Sequence, residues 1–149
     1  GPIIVAVDTS GSMSGRPMQI AYAVLLQLLR LARKQKRKVF LMSFSVGAKF
    51  LDLSLPRNWM RLKSFLENRF SGGTDGEEML NLSIKMLQSK TFGMADVLII
   101  SDFYFPLPKD STWKKMLKEH GKGTCFYGLK IGSTDRLYDT ILDKTWNIK

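Results

Sequence analysis

The sequence predicts an α/β fold in which helices cover both faces of a mostly parallel central sheet. Short apolar runs without polar alternation recur along the chain, as expected for strands that are buried on both faces of a sheet. The longer segments between them repeat apolar residues at helical spacing. Alternation of such strands and helices is typical of a parallel sheet, and one short strand is expected to pair antiparallel at its edge.

The first half of the chain contains three predicted strands and two predicted helices. A buried strand covers residues 3–7, and a long helix with Pro17 in its first turn runs from residue 16 or 17 to residue 36. A second buried strand covers residues 39–44, and a short strand at 48–51 is its expected hairpin neighbour. The second helix is indicated by its apolar residues, which are Trp59, Leu62, Phe65 and Leu66.

The second half contains three predicted helices and two predicted strands. The apolar residues of the third helix recur at helical spacing, at Leu80, Ile84 and Leu87. A third buried strand covers residues 97–100, and a short basic helix is expected at 112–120. A strand at 124–131 and a last helix at about 135–142 complete the pattern.

The length of 149 residues fits one domain, which we expect to span residues 1–149. Gly1 and Pro2 run almost directly into the first strand, so the chain is expected to be a fragment of a longer protein. The longest apolar stretch, residues 20–29, is about half of what a membrane span needs. The lone Cys125 excludes an intrachain disulfide and suits a reducing compartment, so we expect a cytoplasmic protein.

The chain is strongly basic, with 23 Lys and Arg against 13 Asp and Glu and a net charge of +10. This excess favours acidic partners. The densest cationic segment is 30–38, which could contact an acidic protein surface or anionic lipid, or could simply complement the dipole of the helix that it ends. Nucleic acid is a less favoured partner because no aromatic residues are interleaved with these cations.

Three small polar clusters follow predicted secondary structure at comparable places. The run from Asp8 to Ser12 follows the first strand, and Asp102 closes the strand at 97–100. Thr74 lies in the Gly-rich loop 71–76, just before the third helix. In an open α/β sheet, the loops beyond the carboxyl ends of the strands converge on ligands. We therefore expect one site, formed by Asp8, Ser10, Ser12, Thr74 and Asp102.

These five residues offer two carboxylates and three hydroxyls, with no histidine or cysteine. Such an all-oxygen set favours a hard divalent cation, Mg²⁺ first, with Mn²⁺ and Ca²⁺ as alternatives. Because hydroxyls are neutral ligands, the cation keeps much of its charge. It can then attract a carboxylate from outside, which is a mechanism for binding a partner.

These motifs resemble those of a known protein family. The run from Asp8 to Ser12 matches the DxSxS motif of von Willebrand factor A (VWA) domains, and Thr74 and Asp102 match the two later positions of the family's metal-ion-dependent adhesion site (MIDAS). The resemblance implies a Rossmann-like VWA fold and a protein partner that donates Glu or Asp to the metal. It also implies an interaction module and no enzymatic activity.

The residue sequences of the motifs are similar to those of one branch of this family. Asp-Thr-Ser-Gly-Ser-Met at 8–13, Phe-Ser-Gly-Gly-Thr-Asp at 70–75 and Ile-Ile-Ser-Asp-Phe at 99–103 resemble bacterial ViaA/CoxE-type proteins. Those proteins pair with AAA+ ATPases of the MoxR group and carry this domain at the C-terminal end of a longer chain. The resemblance therefore implies a MoxR-type ATPase as partner.

Residues next to the predicted ligands are candidates for the rim of the partner site. Phe103 and Tyr104 follow Asp102 and are expected to form an apolar border, and Asp75 adjoins Thr74. Two other functions stay open at this point. A metal-dependent hydrolase on a similar scaffold would need a general base, and a basic adaptor for nucleic acid or anionic lipid would need no metal.

Overall fold

The computed structural model describes residues 1–67 and 73–148, and these residues form a six-stranded sheet. Its strands lie in the order β3-β2-β1-β4-β5-β6. Their bounds are β1 Ile3–Asp8, β2 Val39–Phe44, β3 Ala48–Asp52, β4 Asp96–Ser101, β5 Phe126–Ile131 and β6 Lys144–Ile148. β3 pairs antiparallel with β2 at one edge and all other pairings are parallel, which confirms the predicted fold class.

Helices cover both faces of this sheet. The α-helices are α1 Arg16–Lys34, α2 Leu62–Glu67, α3 Gly76–Leu87 and α4 Asp110–Gly121. The apolar side of α1 packs with Val5, Leu41 and Ile100 on one face, together with partly buried residues of α2. Buried residues of α3 and α4 pack on the other face, against Ile4, Phe40 and Ile99. Both faces of the central strands are therefore shielded from solvent, which explains why apolar and polar residues do not alternate in their sequences.

The chain changes direction within the sheet at β1. From β1 it proceeds to β2 and β3 on one side, and it then returns to place β4 on the other side of β1. In open α/β sheets, ligands bind beyond the carboxyl ends of the strands at such a switch in strand order. β1 ends at Asp8, and Asp102 directly follows β4. The fold thus brings two of the predicted metal ligands to this position.

The predicted last helix at 135–142 is wrong. A single short 3₁₀ turn, Tyr138–Thr140, lies there instead. The buried ring of Tyr138 packs against Phe103 and Phe105, and its hydroxyl donates to the Pro106 carbonyl at 2.8 Å. Packing around this one aromatic side chain holds the segment, so no amphipathic helix is needed.

The strand β6 was not predicted. It pairs parallel with β5 from Lys144 to Ile148 at the far edge of the sheet. Its residues are exposed or half-buried, so it lacks the continuous apolar run by which the central strands were recognised. The predicted second helix is also different, because a 3₁₀ segment, Pro56–Arg61, precedes the short α2.

Within the described ranges, no helix combines the length and the apolarity that crossing a bilayer requires.

The first residue of α3 is packed too closely for any side chain. A Cβ atom on Gly76 would lie 2.5 and 2.6 Å from two ring carbons of Phe105. That ring is held by Phe44, Phe103 and Tyr138 and cannot easily move. We expect Gly76→Ala to lower the free energy of unfolding by about 1–3 kcal/mol, measured by urea denaturation.

Gly47→Ala is the matched control, because a Cβ atom there would meet nothing within 4 Å. Its stability should stay within about 0.5 kcal/mol of the unmodified protein. Equal stability of the two variants would contradict the packing argument.

Candidate metal centre

Asp8 is the buried centre of the site. Its side chain is fully enclosed, one carboxylate oxygen accepts a hydrogen bond from the Ser10 amide at 2.8 Å, and the other accepts one from the Ser101 hydroxyl at 2.6 Å. Burial raises the pKa of Asp8, the nearby Asp102 carboxylate raises it further, and the hydrogen bonds from Ser10 and Ser101 oppose this rise. A buried carboxylate that lacks a cationic side chain is costly unless a cation compensates it.

Two serines follow Asp8 on a short turn. Ser10 is buried and precedes the 3₁₀ turn Gly11–Met13, whose Met13 side chain is fixed in the core. The hydroxyl oxygens of Ser10 and Ser12 lie 3.2 Å apart, and Ser12 is exposed to solvent. The turn therefore presents two neighbouring hydroxyls beside the Asp8 carboxylate, one on the protein side and one on the solvent side.

The end of β4 supplies the second carboxylate. Asp102 is 4% exposed, and one of its oxygens accepts a hydrogen bond from the Tyr104 amide at 3.2 Å. Ser101 connects this segment to Asp8, because its hydroxyl donates to Asp8 and accepts from the Phe103 amide at 2.8 Å. Sequence reasoning missed Ser101. Its place beside Asp102 at the end of a buried strand was the available signal.

Phe103 does not form the exposed border predicted for it. Only 1% of its surface is exposed, and its ring packs against Phe105 and Tyr138. Phe103 adopts a left-handed backbone conformation, with φ of 60°, which is uncommon for a bulky residue. The turn at Phe103 places its ring in the core, whereas Tyr104 remains 55% exposed at the surface.

Thr74 lies on the loop that leads into α3, and only part of the predicted loop is described. Ser71 and Gly72 lie outside the described residues. The Asp75 amide donates to the Ser45 carbonyl, and the Asp75 carboxylate accepts from the Glu78 amide at 3.0 Å as the N-cap of α3. Ser45 directly follows the end of β2, where Phe44 is the register partner of Asp8. The loop carrying Thr74 is thus tethered next to the strand end that carries Asp8.

The structure joins the five predicted residues to different degrees. Hydrogen bonds connect Asp8 to Ser10 and Ser10 to Ser12. Ser101 links this hydrogen-bonded group to the segment that carries Asp102. Within the described residues Thr74 makes no hydrogen bond to the other four. It is half-buried and lines a cleft of about 360 Å³ with Val46, Pro106 and Leu107.

The donor set fits a hard divalent cation. The described residues contain no group of three or more His, Cys, Asp or Glu side chains that could hold a metal. A site here therefore needs hydroxyl ligands, and the turn at 10–12 provides them. The buried Ser45 hydroxyl, beside the same strand ends, has no hydrogen-bond partner among the described residues. Such an orphaned polar atom is expected where a ligand or an ordered water completes a site.

A comparison with protein families decides the classification. The family described as von Willebrand factor type A domain matches residues 3–104, which include all five predicted ligand positions. The chain belongs to the von Willebrand factor type A domain family. This match confirms the family resemblance that the motifs indicated. The ViaA/CoxE branch stays a prediction.

Solved structures with the same fold come from varied proteins. BatB from Bacteroides thetaiotaomicron superposes with a TM-score of 0.71 at 16% identity, over 100% of this VWA chain and 91% of that chain. The pilus adhesin SpaC from Lactobacillus rhamnosus GG, in an open conformation, gives 0.73 at 14% identity, over 99% of this chain and 28% of that one.

A third similar structure contains a metal. Proximal thread matrix protein 1 from the mussel byssus, described with a zinc-occupied MIDAS motif, gives a TM-score of 0.74 at 14% identity over 100% of this chain and 43% of that one. SpaC is described as a pilus adhesin and the mussel protein as a matrix protein, and the VWA chain spans less than half of each. At such low identity the likeness shows the shared fold.

The hydrogen bond from Ser101 to Asp8 can be tested directly. Ser101→Ala removes the donor and leaves one oxygen of a buried carboxylate unsatisfied. We expect the free energy of unfolding to fall by about 2 kcal/mol, because hydrogen bonds to charged groups are the stronger ones. Urea denaturation in EDTA measures this loss without any contribution from bound metal.

Ser64→Ala serves as the matched control, since Ser64 is exposed on α2. It should change stability by less than about 0.5 kcal/mol. If the Ser101 variant were as stable as this control, Ser101 would not be holding Asp8.

Proposed function

We propose that the VWA domain is a metal-dependent protein-interaction module. Ser10, Ser12 and Thr74 offer hydroxyls to one Mg²⁺ ion, with Mn²⁺ and Ca²⁺ as alternatives, and Asp8 and Asp102 hold the ligands in place. A carboxylate from a protein partner completes the coordination. The observation that carries this proposal is the buried Asp8 carboxylate, which is fixed by two hydrogen bonds but paired with no cationic side chain among the described residues.

The proposal is for binding without catalysis because the described part of the site lacks a general base. His120, the one histidine of the chain, lies in the last turn of α4. It pairs there with Asp143 at 2.7 Å. Both residues precede strands, β5 and β6, so they lie at the amino ends of the strands, whereas Asp8 lies at the carboxyl end of β1. The Asp75 carboxylate caps α3, and the Glu77 carboxylate in the same cleft accepts hydrogen bonds from the Lys109 amide and the Thr112 hydroxyl. A hydrolase would need a free base close to a metal-bound nucleophile.

The rim of the partner site is proposed to combine Tyr104, Asp75 and residues that the sequence did not indicate. Val46 and Leu107 are exposed and line the cleft beside Thr74. With Tyr104 they give the metal edge exposed apolar surface close to the acidic ligands. A partner could therefore place a carboxylate on the metal and an apolar side chain next to it.

A MoxR-type AAA+ ATPase is the proposed partner. This part of the proposal rests on the wording of the motifs at 8–13, 70–75 and 99–103, which is similar to that of ViaA/CoxE-type proteins. Such a pairing would place the domain in the cytoplasm, as one part of a longer chain. An adaptor for anionic lipid or nucleic acid is the alternative that the basic surface allows.

Metal binding is tested by isothermal titration calorimetry with Mg²⁺. We expect a saturable heat from the unmodified domain and none from Asp8→Ala, because that change removes the carboxylate on which both hydrogen bonds converge. Asp110→Ala is the control, since it removes an exposed acid at the start of α4 and should leave the heat unchanged. A domain without metal-dependent heat would overturn the proposed function.

The partner is tested by surface plasmon resonance with a purified MoxR-type ATPase from the same organism. We expect binding in Mg²⁺ that is lost in EDTA and in Asp8→Ala. Tyr104→Ala should weaken binding by about tenfold with unchanged stability, because Tyr104 is exposed at the rim. Binding that persists in EDTA but falls steeply with salt would favour the basic adaptor instead.

A further inference from the structure

A second cleft lies at the amino ends of the strands, on the opposite side of the domain from the metal centre. It has a volume of about 440 Å³ and is formed by the start of the chain, the connection from α1 to β2 and the connection from α3 to β4. These segments precede β1, β2 and β4, whereas Asp8 ends β1 and Asp102 follows β4. The cations that line this basic cleft are Lys36, Arg37, Lys38 and Lys90, and none of the described residues that line it is acidic.

These cations are not neutralised by the described residues. Lys36, Lys38 and Lys90 form no ion pair with any described carboxylate. Arg37 donates a hydrogen bond from its Nε to the Gly1 carbonyl at 2.6 Å. This carbonyl is uncharged, so it orients the guanidinium group without neutralising it. Four like charges around one concavity repel one another and attract anions.

Backbone strain is concentrated at the same place. Lys36 has φ of 57° directly after Gln35, the C-cap of α1, at a position where glycine is the usual residue. Met94 has φ of 62° and follows Gly93, which lines the basic cleft. These are two of the three described non-glycine residues with positive φ. A lysine at a position where glycine would be less strained points to a use for its side chain.

We propose that the basic cleft binds an acidic segment of a partner protein, independently of the metal centre. Asp or Glu side chains of the segment enter between Lys36, Lys38 and Lys90.

The shape and composition of the cleft favour a peptide over other anions. None of its lining residues is aromatic, so it lacks the stacking surfaces that single-stranded nucleic acid uses. A membrane surface is flat and is usually engaged by several apolar side chains together. The cleft is instead a concavity of about 440 Å³, which has room for several side chains of a chain segment.

The test measures binding of fluorescein-labelled hexaglutamate by fluorescence anisotropy in EDTA at 0.15 M salt. EDTA removes divalent cations, so failure here would leave the proposed metal-dependent function untouched. We expect Lys38→Ala with Lys90→Ala to weaken binding by about tenfold. The control double variant, Lys114→Ala with Lys115→Ala, removes the same charge from exposed positions on α4 and should weaken it by less than about twofold.

A third variant separates this role from a merely structural one. Lys36→Gly should relieve the left-handed strain and raise the melting temperature by about 3 °C. The same change should weaken hexaglutamate binding by about threefold, because it removes one cation from the cleft. Opposite signs for stability and binding are the expected signature.

Three results would overturn the proposal. Equal losses in the two double variants would show attraction by net charge alone. A Lys36→Gly variant that binds as tightly as the unmodified domain would contradict the proposed entry of acidic side chains between Lys36, Lys38 and Lys90. Absence of hexaglutamate binding, with binding to vesicles of phosphatidylcholine and 30% phosphatidylserine that Lys38→Ala with Lys90→Ala reduces, would identify a lipid surface instead.

Discussion

The candidate site depends on the burial of the Asp8 carboxylate at the switch in strand order. β1 is the central strand around which the sheet changes direction, so its last residue is covered by neighbours on both sides. Enclosure would normally favour a neutral carboxyl group, yet Ser10 and Ser101 both donate to the charged form. Desolvation raises the pKa of Asp8 and these hydrogen bonds oppose the rise, so a cation bound beside the carboxylate would stabilise its charged form. Every other group of the site is placed relative to this charge.

The core of Phe103, Phe105 and Tyr138 holds the second carboxylate. Because Phe103 turns its ring into the core, the chain between Asp102 and Pro106 is anchored at both Phe103 and Phe105. The segment next to the site therefore derives its position from aromatic packing, whereas the serines after Asp8 depend on a short turn. The two halves of the site are built differently although they meet at adjacent strands.

The sequence was most informative where burial on two faces forces a simple pattern. β1, β2 and β4 were predictable because their residues are mostly apolar and do not alternate with polar ones. Asp8 and Asp102 followed from where β1 and β4 end. β6 was not predictable in this way, since an exposed edge strand needs no apolar run. The burial of Phe103 depends on Tyr138, a residue distant in sequence, and on a positive φ that no local motif announced. For the same reason the 135–142 segment was assigned the wrong structure: its one essential contact is tertiary.

The backbone bond between Asp75 and Ser45 has a consequence for how the site could change. Thr74 is one residue from this bond, and consecutive Cα atoms are about 3.8 Å apart. The Thr74 hydroxyl can therefore approach or leave Asp8 only over a short range while the bond is closed. A larger movement requires the Asp75 amide to release the Ser45 carbonyl and become open to solvent. The hydrogen-exchange rate of the Asp75 amide therefore reports how often the loop opens, independently of any measurement of metal or partner binding.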